Sequence, residues 1–171
     1  MGDTVKFIRD QLNNVHNIGF LATQDASAGA NDLDDYEEGS WTPALADNSG
    51  DGSGESQTYG GQTGRYTKIG NRVFISCDLT LTSIGSLTGA QGARIVGLPF
   101  TSNATSGVVG SIAGIGFDVA IGADQSISGY IADNKAHISL YLWDATTGTT
   151  ILTVTEWSAT GRLILTGSYQ V

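Results

Sequence analysis

The chain has 171 residues, of which 15% are charged, against roughly 25% in typical soluble domains. Its net charge of −9 lies entirely in the N-terminal third, since residues 1–60 hold 11 acidic and two basic residues, whereas residues 61–171 hold six of each. The length allows one domain with a hydrophobic core plus an appendage, and the lack of a basic patch or of an apolar run of about 18 residues argues against nucleic acid binding and membrane insertion.

The first predicted element is a short helix over residues 1–21, which Asp3 or Thr4 can cap. Its apolar side chains recur at heptad spacing, at Val5, Ile8, Leu12 and Val15. Because two heptads are too short for a stable isolated helix, the stripe is expected to pack on its own domain or to end a coiled coil shared with sister chains. The stripe is narrower than the apolar face of a typical helix in a globular domain, and this favours the coiled coil. A chain that opens on such a helix also suggests a segment of a larger protein, with Met1-Gly2 as cloning residues.

The next stretch, residues 22–63, is predicted to be an acidic linker rich in Gly and Ser. Within it, Trp41 to Leu45 is predicted to form a short edge strand, where Pro43 is tolerated. Residues 46–64 are predicted to be a loop that contains Tyr59.

From Gly64 onward the sequence predicts strands. Gly70-Asn71 is typical of a hairpin turn, and the residues from Arg72 to Thr82 alternate between polar and apolar, as in a strand with one buried face. Further strands are predicted at 93–96, 107–119, 127–131, 137–143, 151–157 and 163–171, with turns at 133–135 and 144–150. Short strands without helices between them predict an all-β head over residues 64–171, an antiparallel β-sandwich of jelly-roll type.

Catalytic chemistry has little support in the sequence. A glycosidase needs two carboxylates across a sugar site, and the acids after residue 61 show no such pairing, apart from the suggestive neighbours Glu156 and Trp157. The single cysteine, Cys77, lies on the apolar face of its strand and is expected in the core. The loop from Asp47 to Glu55 departs from a calcium-binding pattern, and two His with one Cys do not make a zinc cluster. We therefore predict no enzymatic activity, no metal and no cofactor.

Four segments stand in a specific order: Leu33 to Pro43, Thr63 to Gly70, Gly97 to Phe100 and Gly167 to Tyr169. This arrangement, which spans residues 33–171, resembles the C-terminal domains of bacteriophage tail fibres and related tail proteins. The resemblance implies a homotrimeric, mostly β receptor-binding tip at the distal end of a fibre. The heptad helix agrees with it, because a fibre is usually a trimer about one axis. Arg65, Tyr66 and Lys68 are then expected to be scaffold or inter-chain residues.

The candidate ligand-binding residues are mostly aromatic and lie late in the chain. They are Tyr141, Trp143, His137, Tyr130 and Trp157. Tyr141, Trp143 and His137 share the strand face opposite to the predicted core, where rings can stack on sugars and polar tips can bind hydroxyl groups. The alternative is that this face packs against another strand, or against a sister chain at the trimer axis.

The predicted function is host recognition by the distal domain of a tail fibre on the virion, with a host surface polysaccharide or an outer-surface protein as the receptor. A trimerisation or capping domain without a ligand of its own is the alternative, and a polysaccharide-degrading enzyme is a weaker one. Exposure of the face with Tyr141 and Trp143 would favour binding, whereas burial at the axis would favour a cap.

Overall fold

The structure is a computed structural model that describes residues 35–49, 55–89, 91–105, 107, 110–146 and 148–171. The predicted helix with Val5, Ile8, Leu12 and Val15 lies outside these residues. The elements of the described part are β1 (Glu37–Trp41), β2 (Ala44–Ala46), β3 (Thr58–Ile69), β4 (Arg72–Ser83), β5 (Arg94–Val96), β6 (Gly110–Val119), β7 (Gln125–Ile131), β8 (His137–Asp144), β9 (Gly148–Ile151), a 3-10 turn (Val154–Glu156) and β10 (Trp157–Gln170). Among these residues there is no helix of the length and apolarity that a membrane crossing requires.

All ten strands belong to one antiparallel sheet, with the spatial order β1-β3-β4-β10-β6-β7-β8-β5-β2 and with β9 paired to β8. The prediction of an all-β, antiparallel fold is confirmed. The two packed sheets of the predicted jelly-roll sandwich are not confirmed, because every strand pairing of the described residues lies within this single sheet.

The sheet curls so that its two ends meet. β1 and β2 occupy opposite ends of the strand order, yet only Thr42 and Pro43 separate them along the chain. Side chains of β3 join this connection and β2: Gln62 Nε2 donates to the Pro43 carbonyl at 2.9 Å, and the Leu45 amide donates to the Tyr59 hydroxyl at 3.0 Å. These bonds satisfy backbone groups that an open sheet edge leaves without a partner strand.

The hydrophobic core is built from alternating positions of the long strands, inside the curl. The predicted turn at Gly70-Asn71 is confirmed, and Gly70 has φ of 56°, a conformation that glycine adopts without steric cost. The predicted buried face of β4 is confirmed as well. It consists of Val73, Ile75, Cys77, Leu79 and Leu81, which pack with Leu163, Leu165, Ile138 and Leu140 of β10 and β8. Fully burying one such aliphatic side chain contributes about 1.5–3 kcal/mol.

Three predicted boundaries differ from the structure. Trp41 and Leu45 belong to two strands, β1 and β2, at opposite ends of the sheet order. β3 begins at Thr58, so Tyr59 lies in a strand and the sheet starts before the predicted boundary at residue 64. Over residues 144–157, the structure places β9 and the 3-10 turn where a turn and a strand were predicted. The glycine-rich start of β3 and the short β9 have weak intrinsic strand propensity.

The segments that carry the resemblance meet at one end of the sheet. Lys68 of β3 is buried and forms an ion pair with Asp35, and its Nζ lies 5.9 Å from the ring centroid of Phe100. The Phe100 ring meets the Tyr66 ring edge-on, with 5.3 Å between centroids, and the Tyr66 hydroxyl donates to the Glu37 carboxylate. These contacts support the scaffold role expected for Tyr66 and Lys68.

Tyr169 connects the last strand to the same cluster. Its side chain is fully buried, and its hydroxyl donates to the Phe100 carbonyl at 3.0 Å and accepts from the Phe100 amide at 3.3 Å. Burial raises the pKa of the Tyr169 phenol to about 12, so the hydroxyl keeps its proton at neutral pH. The segment that ends at Phe100 is thereby fixed to β10 through both backbone polar groups of one residue.

Replacing Tyr169 by Phe removes both of these hydrogen bonds without changing the ring. The Phe100 amide and carbonyl then lose a buried partner, and we expect the free energy of unfolding to fall by about 1–3 kcal/mol. Chemical denaturation followed by fluorescence measures the change. Tyr130→Phe is the matched control, since the Tyr130 side chain is exposed and its loss of a hydroxyl should leave stability unchanged. Equal stability of the two variants would show that the Tyr169 hydroxyl does not stabilise the fold.

Candidate functional site

Three of the predicted aromatic residues lie together on the outer face of the sheet, opposite to the core. Tyr130 of β7 is 39% exposed and Trp143 of β8 is 56% exposed, while Tyr141 is half-buried between them. The ring centroids of Tyr130 and Tyr141 are 5.7 Å apart and the rings are tilted by 52°. Tyr141 and Trp143 are two residues apart on one strand face, a spacing of about 7 Å. We call Tyr130, Tyr141 and Trp143 the aromatic strip.

Hydroxyl groups flank each member of the aromatic strip. The strand register places Ser139 opposite Tyr130, Ser128 opposite Tyr141, and both Ser126 and Thr149 opposite Trp143. Directly opposed residues of an antiparallel pair share a face of the sheet and have Cβ atoms about 4.5–5.5 Å apart. The strip therefore combines flat apolar rings with hydroxyl donors and acceptors, the combination that suits a ligand with ring faces and many hydroxyl groups.

His137 lies on the same strand face, further along β8. It is half-buried, and Ser139 lies between it and Tyr141 along the strand face. Burial, and then the positive charges of Arg94 and Lys135, hold the pKa of His137 below its ordinary value. The imidazole is therefore neutral at physiological pH, with one N–H donor and one acceptor nitrogen. It can exchange hydrogen bonds with a hydroxyl group at the edge of the strip.

Trp157, the fifth candidate, does not belong to this surface. Its side chain is only 5% exposed and packs in the hydrophobic core. Trp157 pairs with Val119, and the next paired residue of β10 is Arg162, opposite Phe117, so a register shift separates Trp157 from the regular part of the strand. Trp157 nevertheless keeps the parity of the buried Leu163, Leu165 and Tyr169 along β10, so alternation counted back from the end of the strand places its side chain on the core face.

Three carboxylates of the described strands and turns, Asp78, Glu156 and Asp144, have partners within the fold. Asp78 accepts two hydrogen bonds from Arg162, at 2.8 and 2.5 Å, and this guanidinium lowers the pKa of the Asp78 carboxyl. Glu156 accepts from the amide and the hydroxyl of Thr153, and Asp144 accepts from the Thr146 amide at 2.6 Å. No group of three or more His, Cys, Asp or Glu side chains is placed to hold a metal ion within the residues that the structure describes.

β9 forms one side of this surface, which the sequence did not predict. Ile151 of β9 lies opposite Tyr141 and is exposed, and Thr149 lies opposite Trp143. Residues 144–150 were predicted to be a turn, so these neighbours were missed. A signal was present in the β-branched run from Thr149 to Ile151, which favours a strand.

Comparison with known proteins gives one informative likeness. No protein-family model and no curated protein matches the sequence. Comparison with solved structures shows that the chain has the fold of a phage tail protein. The match is to the crystal structure of the Dettilon tailspike protein, with a TM-score of 0.65 and 26% sequence identity over 79% of this chain. The chain corresponds to only 24% of that protein's length, so the likeness extends to a part of the tailspike.

Proposed function

We propose that this chain is a receptor-binding head of a phage tail fibre or tailspike, which recognises a host surface glycan through the aromatic strip. The observation that carries the proposal is the exposure of Tyr130 and Trp143 on the outer face, flanked by serine and threonine hydroxyls. The likeness to the Dettilon tailspike protein supports the assignment to a phage tail. Large aromatic side chains are usually buried, so a strip of three with two exposed rings suggests a binding role.

The spacing within the aromatic strip favours an extended oligosaccharide over a single sugar. The neighbouring rings of Tyr130 and Tyr141 are 5.7 Å apart, and Trp143 continues the strip along β8. One sugar ring covers one or two of these positions, whereas a linear chain can contact all three. His137 would then donate to, or accept from, a hydroxyl group beyond Tyr130.

The working form is a homotrimer at the fibre tip, joined through the predicted heptad helix with Val5, Ile8, Leu12 and Val15. Three identical heads raise the overall avidity for a repetitive polysaccharide well above the affinity of one shallow site. The capping function needs no exposed aromatic strip. For the alternative of a polysaccharide-degrading enzyme, Asp78, Asp144 and Glu156 are weak candidates, because each accepts hydrogen bonds from neighbouring side chains or backbone.

Two measurements on the full chain test this proposal. Light scattering at micromolar concentration should give the mass of three chains, and an array of bacterial surface glycans should show binding to a subset of polysaccharides. A trimer that binds no glycan and no host cell would support the cap instead. A monomer would contradict the trimer, and shortening of a bound polysaccharide would establish the enzyme.

A further inference from the structure

A second exposed apolar surface lies on the outer face, on β6 and β10. Its most exposed members are Ile115 and Phe117 of β6, at 55% and 48% exposure. Ile164 of β10 lies directly opposite Ile115, and Arg162 lies opposite Phe117 with its guanidinium carbon 5.6 Å from the ring centroid. We call Ile115, Phe117 and Ile164 the β6–β10 patch.

The chemistry of the β6–β10 patch differs from that of the aromatic strip. Its side chains carry no hydroxyl or N–H group, whereas every ring of the strip has a polar tip. Arg162, the charge next to the patch, is neutralised by two hydrogen bonds to Asp78. Apolar side chains without polar tips suit a dry contact with protein, and a neutral border avoids repulsion between identical copies.

The backbone of the same region forms an open sheet edge. β6 pairs with β7 only from Gly110 to Ala113, and beyond that point its described partner is β10 alone. Edge strands are normally protected by charged residues or proline. Here the segment from Gly114 to Phe117 has neither, and Asp118 is the first charged residue after it.

We infer that the β6–β10 patch and the open edge of β6 form the contact surface for a second copy of this chain. This inference rests on the proposed trimer. The described chain begins at Asp35, and the 34 residues before it contain the heptad stripe that is predicted to join copies side by side. Two heptads alone are too short for stable association, so the heads need a contact of their own. The β6–β10 patch offers that contact and leaves the aromatic strip free for ligand.

Cysteine labelling of the full chain tests the inference directly. Ile115→Cys and Trp143→Cys are matched, because the native side chains have 55% and 56% exposure in the single chain. The natural Cys77 is silent in this assay: burial raises the pKa of its thiol to about 12, so the reactive thiolate is scarce at neutral pH. In a trimer, we expect a maleimide to label Ile115→Cys at least about tenfold more slowly than Trp143→Cys, because reaction at the contact needs local separation of the copies.

The possible outcomes separate this inference from the proposed function. Equal labelling rates in an intact trimer would overturn the β6–β10 contact and leave the trimer and the glycan site standing. A wild-type chain that is monomeric by light scattering would overturn the trimer and the contact together. Phe117→Cys repeats the measurement if Ile115→Cys lowers the yield of folded protein. Glycan binding by the Ile115→Cys trimer should equal that of the wild type.

Discussion

Replacement of Trp143 by Ala is expected to weaken glycan binding by roughly 30-fold per site, the equivalent of about 2 kcal/mol for a central aromatic contact. Trp143 is the largest ring of the aromatic strip and 56% of its surface is exposed. Truncation removes the stacking face and the indole N–H together. Since the side chain packs outside the core, the thermal unfolding midpoint should stay at the wild-type value. Isothermal titration with a glycan identified on the array measures the affinity.

Phe74→Ala provides the matched control for this substitution. Phe74 is an aromatic residue of β4 with 49% exposure, so it has a similar solvent environment. It lies outside the aromatic strip, because β10 and β6 stand between β4 and β7 in the sheet. Binding that falls equally in both variants, or in neither, would contradict the assignment of the strip as the glycan site. Because three sites act together, binding to whole cells should fall further than the single-site affinity.

The sequence predicted the long central strands well because their burial is periodic. In β4 every second residue from Val73 to Leu81 is buried, and the Gly70-Asn71 turn sets the register of the hairpin. Such strands are specified by local pattern and by one turn. The early part of β3 has no such pattern: its glycines at 60, 61 and 64 predicted a loop. Its extended conformation depends on pairing with the far end of β4, from Asp78 to Ser83, through register shifts around Tyr59 that the sequence does not signal.

The candidate site was predicted only in part, for a similar reason. Alternation along β8 placed Tyr141 and Trp143 on one face, but whether that face is exposed depends on how many sheets the fold has. A second sheet would have covered it, whereas the single curled sheet leaves it open in the described chain. Trp157 shares the parity of the buried Leu163 and Leu165 along β10, but residues 151–157 and 163–171 were predicted to be separate strands, so the buried pattern was not extended to Trp157. Exposed residues of β6 were missed because glycines 114 and 116 interrupt the apolar pattern.

The residues that carry the resemblance to phage tail proteins are not the residues of the proposed ligand surface. The segment from Thr63 to Gly70 carries part of the resemblance, and its Tyr66 and Lys68 make contacts within the chain, to Phe100, Glu37 and Asp35. These side chains join β3 to residues in or next to β1 and to the segment that ends at Phe100, so their role is structural. The proposed ligand surface lies on other strands, where the side chains have few constraints from the fold and can vary with the receptor.

Gly64→Ala is expected to lower the free energy of unfolding by about 1–3 kcal/mol, the usual cost of forcing extra volume into a packed site. Gly64 of β3 lies opposite Trp41 of β1, and a Cβ at this position would be 2.6 Å from the Trp41 carbonyl oxygen and from two indole atoms. The indole is held in place by its hydrogen bond to the Arg65 carbonyl at 3.3 Å. Relief of these contacts requires the indole to lose this hydrogen bond or β1 to separate from β3. Since only Thr42 and Pro43 connect β1 to β2, such a separation would also strain the closure of the sheet.

Gly61→Ala is the control that isolates this close approach. Gly61 lies in the same strand, three residues earlier, and a Cβ there would meet no atom within 4 Å. The added methyl group reduces the entropy of the unfolded chain, so this variant should be neutral or slightly more stable than the wild type. Thermal unfolding at one protein concentration should place the Gly64→Ala midpoint lower by about 2–4 °C per kcal/mol lost. If the two variants unfold at the same temperature, contact between Gly64 and Trp41 does not determine the closure, and the bonds from Gln62 and Tyr59 hold the ends of the sheet without it.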